Sequence, residues 1–167
     1  MIRFAIQILN YNGSRWLPGL LESLRNCKYS EKIIYIVDNC STDKSLEIVA
    51  RSPLQPKVIR HGHNMGFSAA YNRSATAAWH DNCDWICLMN TDVLVCDGWL
   101  DEVAKVLEHN EQLGIVGPVQ WDWKSDTPSY FFRNRYPSVL KKLNHGPGHY
   151  PADWLEGSCL FIKRECW

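Results

Sequence analysis

Asp92 lies inside an apolar stretch, WICLMNTDVLV, that covers residues 85 to 95. An ionised carboxylate among such neighbours is costly unless it is paired or binds a cation. Asn90 lies two positions earlier, and residues two apart on an extended chain point to the same side. The side-chain oxygen of Asn90 and the carboxylate of Asp92 could then bind the same hard cation, Mg²⁺ or Mn²⁺. Water and a diphosphate would supply the remaining ligands of this cation. The alternative to a cation site is that Asp92 lies in a turn or caps the next segment, and the local spacing alone slightly favours this alternative.

Asparagine, aspartate and histidine also follow three other apolar stretches, in Asn10-Tyr11-Asn12-Gly13, Asp38-Asn39 and His63-Asn64. Asp38 could accept hydrogen bonds from a nucleobase imide or a ribose hydroxyl, or could make an Asx-turn at the VDNCSTD bend. Asn64 and Asn72 flank a predicted helix start, where N–H groups favour anions, although Asn72 could instead be a buried amide tying two loops together. His61 and His63 are predicted to be solvated loop residues.

Alternating strands and helices must position these side chains. Apolar runs predict strands at residues 3–9, 32–37, 57–60, 84–89, 115–119 and 158–163. Helices are predicted at residues 15–26 (capped by Ser14), 42–50 (capped by Ser41 or Thr42), 67–80 and 97–110. Residues 120–151 are predicted to be irregular, with a short helix near 139–143. This order indicates an α/β sandwich with a largely parallel sheet, whose ligands bind at the carboxyl ends of the strands.

The overall composition of the chain disfavours several classes of function. The chain has 167 residues, enough for one domain, and 18 basic residues balance 18 acidic ones, which gives no electrostatic case for nucleic acid. No apolar run reaches the length of a membrane span. Seven scattered cysteines indicate reduced thiols in a cytoplasmic protein, and a zinc site at Cys83 and Cys87 is disfavoured against buried thiols. The phosphate-binding motifs of dehydrogenases and P-loop enzymes are absent from the sequence.

Four motifs, ILNYNG, IVDNCSTD, HNMGFSAAYN and LMNTDV, occur in one order and spacing that resembles glycosyltransferase family 2. The rhamnosyltransferase-like branch is the most similar, and the resemblance runs from residue 4 to about residue 165. It implies a GT-A fold, an α/β/α sandwich with a mostly parallel sheet, in one domain. Residues 1–96 would be the nucleotide-binding half and residues 97–167 a partial acceptor-side half, apparently truncated at its C-terminus.

The resemblance also implies the roles of individual residues. The loop at residues 10–13 would hold the base, Asp38 would contact a uracil or thymine, and the loop at residues 64–67 would shape the sugar and diphosphate site. The metal-binding "DXD" element falls on Asn90-Thr91-Asp92 with asparagine first, so Asp92 would carry most of the binding of Mg²⁺ or Mn²⁺. The implied nucleotide-sugar residues are Asn10, Tyr11, Asn12, Asp38, Asn39, Asn64, Gly66, Phe67, Asn72, Asn90 and Thr91.

The implied activity is inverting transfer of a hexose, with rhamnose suggested by the branch, from a dTDP-, UDP- or GDP-sugar to a glycan or lipid-linked acceptor. The family's catalytic Glu-Asp pair follows a strand like the one in DWLEGSCLFIKRE, and this chain ends at Trp167 before such a pair. We therefore expect a fragment or a departure from the pattern, with Asp153 and Glu156 as the remaining candidates for a base. A peripheral position at the inner face of the membrane is compatible with a lipid-linked acceptor.

Other functions remain open from the residues. The first alternative is a GT-A module that binds a nucleotide sugar without turnover. A nucleotidyltransferase is ranked low, because NYNGSRW has one glycine and one arginine with which to grip a triphosphate. An aromatic stretch could form a platform for an acceptor sugar or could simply pack onto the protein. Its members are Trp121, Trp123, Tyr130, Phe131, Phe132 and Tyr136.

Overall fold

A computed structural model describes residues 1–122, 124, 127–143 and 148–167. The strands are β1 (Phe4–Asn10), β2 (Lys32–Asp38), β3 (Lys57–Arg60), β4 (Trp85–Asn90), β5 (Ile115–Val116), β6 (Trp121–Asp122), β7 (Thr127–Pro128) and β8 (Cys159–Lys163). The helices are α1 (Leu17–Arg25), α2 (Ser45–Ala50), α3 (Phe67–His80), α4 (Trp99–Glu108), α5 (Tyr130–Arg135) and α6 (Pro137–Leu143), followed by a 3₁₀ turn at Arg164–Cys166.

Six of the strands form one sheet in the order β3-β2-β1-β4-β8-β5. The pairs among β3, β2, β1 and β4 are parallel, whereas β8 is antiparallel to both of its neighbours. Strands β6 and β7 form a separate two-stranded antiparallel sheet. The predicted α/β architecture with a mostly parallel sheet is therefore confirmed.

Side chains of β1 alternate between the two faces of the sheet, because successive residues of a strand point in opposite directions. Phe4, Ile6 and Ile8 enter the core that α1 and α4 cover, and Ala5 enters the core beneath α3. Both faces of β1 are buried, which explains its nearly continuous apolar sequence. The helices on the two faces make the molecule a three-layer sandwich.

Helix α3 packs closely on the sheet through its small residues. Ala70, Ala75 and Ala78 are buried, as the alanine-rich sequence predicts. The buried Gln7 of β1 donates from Nε2 to the carbonyl of Ser74 at 3.0 Å, and Ser74 Oγ donates back to Gln7 Oε1 at 2.8 Å. This reciprocal pair satisfies a polar side chain within an apolar layer and fixes α3 above β1.

Two predicted helix caps are wrong. Helix α1 starts at Leu17 with Trp16 at its N-cap, and α2 starts at Ser45 with Lys44 at its N-cap. Neither N-cap side chain accepts a capping hydrogen bond. Ser14, Ser41 and Thr42 instead bond to neighbouring loops, so the local capping pattern was overridden by contacts between the first two strand ends.

The stretch from residue 120 to residue 151 is more regular than predicted. Its described residues contain the antiparallel pair β6–β7 and two short helices, of which α6 includes the predicted helix at residues 139–143. Helix α5 was missed, although Ser129 accepts a hydrogen bond from Phe132 N at 3.2 Å and so caps it. Strand β5 spans two residues rather than the predicted five.

All seven cysteines carry free thiols. Cys83 and Cys87 belong to the cores on opposite faces of the sheet, which rules out a shared metal ion and leaves the buried-thiol interpretation. Cys87 instead lies 3.8 Å from Cys159, sulfur to sulfur. Within the described residues, no helix combines the length and the apolar character that crossing a bilayer requires.

Candidate functional site

The carboxyl ends of β1, β2 and β4 meet at one edge of the sheet. Strand register places Asn10 beside Asp38, and Leu9 beside Asn90. The loops that follow these strands therefore adjoin each other, as expected for a parallel α/β sheet.

Asn10 and Asp38 form the buried centre of this edge. Each is 0% exposed. Asn10 Nδ2 donates to Asp38 Oδ1 at 2.9 Å, and Asn10 Oδ1 accepts from Gly13 N at 3.2 Å. Asp38 Oδ2 accepts from Ser41 N at 3.3 Å, which is the Asx-type turn that the sequence left open. The two side chains therefore hold the loops after β1 and β2 in fixed positions.

A second set of contacts joins the two loops nearer the surface. Asn12 has a positive φ of 56°, and its Oδ1 accepts from Thr42 N at 2.8 Å. The Asp43 carboxylate accepts from Ser14 N at 2.9 Å and from Ser45 N at 3.0 Å. Burial acts to raise the pKa of Asp43, but the hydrogen bonds outweigh it and lower the pKa to about 2. Asp43 is thus a structural anion, while Tyr11, 54% exposed, faces outward from the same loop.

The side chain of Asn39 holds the loop between β3 and α3. Its Nδ2 donates to Asn64 Oδ1 at 2.7 Å and to the carbonyl of Gly66 at 3.2 Å, and its Oδ1 accepts from Met65 N at 2.9 Å. One buried amide therefore holds three consecutive residues of the loop before α3. Gly66 adopts a positive φ of 75°, which turns the chain into the helix at Phe67.

His61 lies beneath this loop and is 5% exposed, so its predicted solvated position is wrong. Its Nδ1 is 3.4 Å from Asn39 Oδ1, and its Nε2 is buried without a hydrogen-bond partner among the described residues. Burial, together with the charge of Arg73, lowers the pKa of His61, so the neutral imidazole is favoured. The position of His61 directly after β3 is the one feature of the sequence that could have indicated this burial.

The Asn90-Thr91-Asp92 segment is a strand end followed by a turn. Strand β4 stops at Asn90, and Thr91 and Asp92 lie in the turn, so the prediction that Asn90 and Asp92 share one face of an extended chain is wrong. Asp92 is exposed, and no described residue holds its carboxylate by a hydrogen bond or an ion pair. Asp92 thus lies in a turn, which is one form of the alternative to a cation site, and its carboxylate does not cap the next segment.

The side chains near Asp92 fit a sparsely liganded Mg²⁺ or Mn²⁺. No group of three or more His, Cys, Asp or Glu that could hold a metal occurs among the described residues. One free carboxylate beside the half-buried Asn90 matches a hard cation that takes most of its ligands from water and phosphate oxygens. A closed zinc-type cage does not match this donor set.

The segment before β8 closes the site from the other side. Asn90 N donates to the carbonyl of Ser158 at 3.0 Å, and a Cβ added to Gly157 would lie 3.7 Å from Phe67 Cζ. Glu156 is half-buried, and this burial raises its pKa. Asp153 is exposed. Of the two candidate bases, Glu156 directly precedes Gly157 and Ser158, which adjoin the start of α3 and Asn90, whereas Asp153 lies three residues further back.

Comparison with known proteins identifies the family. The family model described as Glycosyl transferase family 2 matches residues 6–165. The chain belongs to glycosyltransferase family 2. Among the curated relatives of this family 2 chain, an N-acetylglucosaminyl-diphospho-decaprenol L-rhamnosyltransferase of Mycobacterium tuberculosis is 24% identical over 93% of the chain and 60% of the relative. An uncharacterised glycosyltransferase of Haemophilus influenzae is 28% identical over 67% of the chain and 37% of the relative.

Solved structures support the GT-A fold. The Pyrobaculum calidifontis mannosyltransferase PcManGT, solved with GDP-Man and Mn²⁺, superimposes with a TM-score of 0.69 at 19% identity, covering 98% of this chain and 45% of that one. Staphylococcus aureus TarS 1–349, solved with UDP-GlcNAc, gives 0.66 at 22% identity over 79% of this chain and 38% of that one. The family 2 chain thus spans 60% or less of the relatives it matches.

The structure separates the predicted family 2 site residues into two groups. Asn10, Asp38 and Asn39 are buried and bonded to the protein, so they position loops. Six others have exposed or half-exposed side chains at the same edge, and these are Tyr11, Asn12, Asn64, Phe67, Thr91 and Asp92. Asn72 is exposed within α3, so the alternative of a buried amide is wrong. Direct contact between Asp38 and a nucleobase stays a prediction.

A shallow depression elsewhere on the surface contains none of the predicted site residues. It lies between the end of α1 and the start of α4 and is lined by Arg25, Asn26, Lys28, Asp97, Gly98 and Asp101. Residues that sequence reasoning did not assign to the strand-end site, yet that the structure places there, are Ser41, Asp43 and His61. The motif IVDNCSTD already contains the first two, but only the fold shows what they bond.

Gly13 allows the β1 loop and the β4 turn of this family 2 site to approach each other. A Cβ at Gly13 would lie 2.6 Å from Asn10 Oδ1 and 3.0 Å from Thr91 Cγ2. We expect Gly13→Ala to lower the free energy of unfolding by about 1–3 kcal/mol, because two packed side chains must shift. Urea unfolding followed by circular dichroism measures this.

The matched control is Gly62→Ala, since nothing lies within 4 Å of a Cβ at Gly62. Its unfolding free energy should stay within about 0.5 kcal/mol of the wild type or rise slightly. Equal effects of the two substitutions would mean that the Gly13–Thr91 approach is not a tight one.

Proposed function

We propose that this chain binds a nucleoside-diphosphate sugar at the carboxyl edge of β1, β2 and β4 and transfers the sugar with inversion. The observation that carries this is the free, exposed carboxylate of Asp92 where three loops adjoin each other. A divalent cation, when bound, would neutralise charge on the departing diphosphate. Asp92 would hold Mg²⁺ or Mn²⁺, with Asn90, at the end of β4, as a candidate for a further oxygen donor.

In our proposal, different residues at this edge contact different parts of the nucleotide-sugar donor. Tyr11 and Asn12 would contact the base and ribose, because they project from the loop that Asn10 and Asp43 hold in place. Asn64, Gly66 and Phe67 would contact the diphosphate and sugar at the start of α3, where backbone N–H groups favour anions. Asp38 would support the base-binding loop through Asn10, and would contact a uracil or thymine only after displacing part of that cover.

The acceptor is proposed to approach from the Glu156 side. An acceptor hydroxyl attacks the anomeric carbon on the face opposite the diphosphate, the carbon–oxygen bond to the diphosphate breaks, and a carboxylate takes the hydroxyl proton. Glu156 is our candidate for that base within this chain, since its raised pKa fits a group that must accept a proton. A rhamnosyl donor and a lipid-diphosphate acceptor are the first substrates to test, as the M. tuberculosis relative carries both in its name.

Calorimetric titration tests the binding part of the proposal. UDP, dTDP and GDP are titrated in the presence of Mn²⁺, of Mg²⁺, and of a chelator. At least one of the three should bind with metal-dependent affinity. No metal-dependent binding of any nucleoside diphosphate would contradict the proposal, whereas binding without sugar transfer would support the alternative of a non-catalytic module.

The role of Glu156 gives a separate kinetic prediction. We expect Glu156→Gln to lower kcat for sugar transfer by about 10²–10⁴-fold with little change in the KM for the donor, because a base acts on the chemical step. Since burial raises its pKa, wild-type kcat should fall as pH decreases through a value above that of an ordinary glutamate. The measurement is a pH–rate profile.

The control for that experiment is Asp153→Asn, an equivalent exchange at an exposed residue three positions away. It should leave kcat within about threefold, the usual size of a surface effect. A large loss in Asp153→Asn together with a normal Glu156→Gln would reverse the assignment of the base.

A further inference from the structure

One segment of the chain is unusually basic. Four of the 18 basic residues lie between residues 127 and 152, namely Arg133, Arg135, Lys141 and Lys142, and none of the 18 acidic residues does. The rest of the chain therefore carries a formal net charge of −4. A cationic segment on an otherwise acidic protein has a preferred partner that is anionic.

The same segment exposes two adjacent aromatic rings. Tyr130 and Phe131 open α5 and are 66% and 68% exposed, with ring centroids 5.9 Å apart. The next residue, Phe132, is buried and packs against Tyr136 at 5.0 Å, so it anchors the helix to the protein. The fold thus holds α5 in place while directing two large aromatic side chains into solvent.

This segment is attached to the acceptor side of the site. The Tyr136 hydroxyl donates to the carbonyl of Trp154, and the two rings stack at 6.5 Å with an interplanar angle of 24°. Arg135 lies over the Trp154 ring at 5.3 Å. Trp154 is two residues from Glu156, so whatever the segment docks on is brought close to the candidate base.

We infer that this surface docks on an anionic phospholipid bilayer. We call it the aromatic–basic surface and define it by Tyr130, Phe131, Arg133, Arg135, Lys141 and Lys142. Aromatic rings with an apolar body favour the boundary between headgroups and acyl chains. Lys and Arg beside them are attracted by anionic headgroups. The segment combines both features, and its sequence contains no acidic residue, although Asp153 and Glu156 lie near Tyr136 at its attachment to Trp154. This combination selects an anionic membrane surface over a neutral protein surface.

Vesicle co-sedimentation of the full chain tests the charge component. The vesicles are phosphatidylcholine alone, or phosphatidylcholine mixed with phosphatidylglycerol. The wild type should bind the anionic vesicles and be displaced by high salt. The variant Arg133→Gln/Arg135→Gln/Lys141→Gln/Lys142→Gln should lose about a hundredfold or more in partitioning, given the attraction of each cation to the surface.

Two matched controls isolate the surface. Lys28→Gln/Lys44→Gln/Arg51→Gln/Lys105→Gln changes the net charge equally at exposed positions elsewhere and should bind within about threefold of the wild type. Tyr130→Ser/Phe131→Ser should weaken binding about tenfold, since it removes the rings that enter the interface. Val58→Ser/Ile115→Ser, at exposed apolar positions on two other strands, should not weaken it.

Three results would overturn the inference. The first is equal binding to neutral and anionic vesicles, and the second is an equal loss of binding in the two charge variants. The third is a protein that does not bind vesicles but self-associates, with Tyr130→Ser/Phe131→Ser abolishing the self-association. Nucleoside-diphosphate titration of the same variants keeps this inference separate from the proposed function. Vesicle binding without nucleotide binding would contradict the proposed function and support the membrane inference. Nucleotide binding without vesicle binding would support the proposed function and contradict the membrane inference.

Discussion

Replacing Asp92 with alanine should remove the metal-dependent part of the affinity for a nucleoside diphosphate. We expect a loss of about a hundredfold or more in Mn²⁺, because the free carboxylate is the one acidic ligand that the β4 turn offers to the cation. With a chelator present, the wild type and Asp92→Ala should bind equally weakly. The free energy of unfolding should hardly change, since no described residue bonds to this carboxylate and its loss breaks no contact.

Asp97→Ala is the matched control for Asp92. Asp97 is also exposed and lies at the far end of the same loop, two residues before α4 begins at Trp99. Its substitution removes the same charge but should leave Mn²⁺-dependent titrations within about twofold, because an exposed charge that does not touch the cation acts through water and is screened by salt. Equal losses in the two variants would show that Asp92 acts only through net charge, and an unaffected Asp92→Ala would exclude it as a ligand.

Asn10→Asp should be the most destabilising single substitution at the strand-end edge. It places a second carboxylate where the Asn10 amide now donates to Asp38 at 2.9 Å, in surroundings that are fully buried. We expect a loss of about 3–5 kcal/mol in the free energy of unfolding at pH 7, the usual result of an uncompensated buried charge. Urea unfolding at several pH values measures it.

The pH dependence of Asn10→Asp has a definite sign. Two buried carboxyls this close disfavour double ionisation, so one folded-state pKa of the pair rises above its unfolded value. The destabilisation is then present at pH values above that raised pKa and is relieved as pH falls through it. Asn12→Asp makes the same exchange at an exposed position whose side-chain oxygen accepts from Thr42 N, so it should change stability by less than about 1 kcal/mol. A similar loss of unfolding free energy in both variants would mean that the effect does not depend on the burial of the Asn10–Asp38 contact.

The layers of the fold could be predicted because hydrophobic periodicity reports burial directly. Phe4, Ile6 and Ile8 on β1 and the alanines of α3 lie in the predicted cores. Helix starts were less predictable: Ser14 has the side chain of an N-cap but bonds Asp43 through its backbone. Short elements such as α5 were missed, since six residues carry too little pattern to distinguish a helix from a loop.

The site could be located from its motifs, but the roles of its members could not be separated. Asp38 and Asp92 both follow an apolar strand, yet one is fully buried in a hydrogen-bonded network and the other is exposed without partners. The difference comes from neighbouring chain segments, because Asn10 and Ser41 cover Asp38 and nothing equivalent covers Asp92. His61 shows the same limit, since its burial depends on the loop that Asn39 holds over it.

The antiparallel strand β8 has a consequence for the order in which the protein can assemble. It lies between β4 and β5, pairing Cys87 with Phe161 and Val116 with Phe161 in the register of the sheet. Contacts of such large sequence separation form slowly, since a long loop must close first. During synthesis on the ribosome, one edge of the largely apolar β4 therefore stays unpaired until Lys163 has emerged, and a chaperone that covers exposed strands has its longest opportunity to act there.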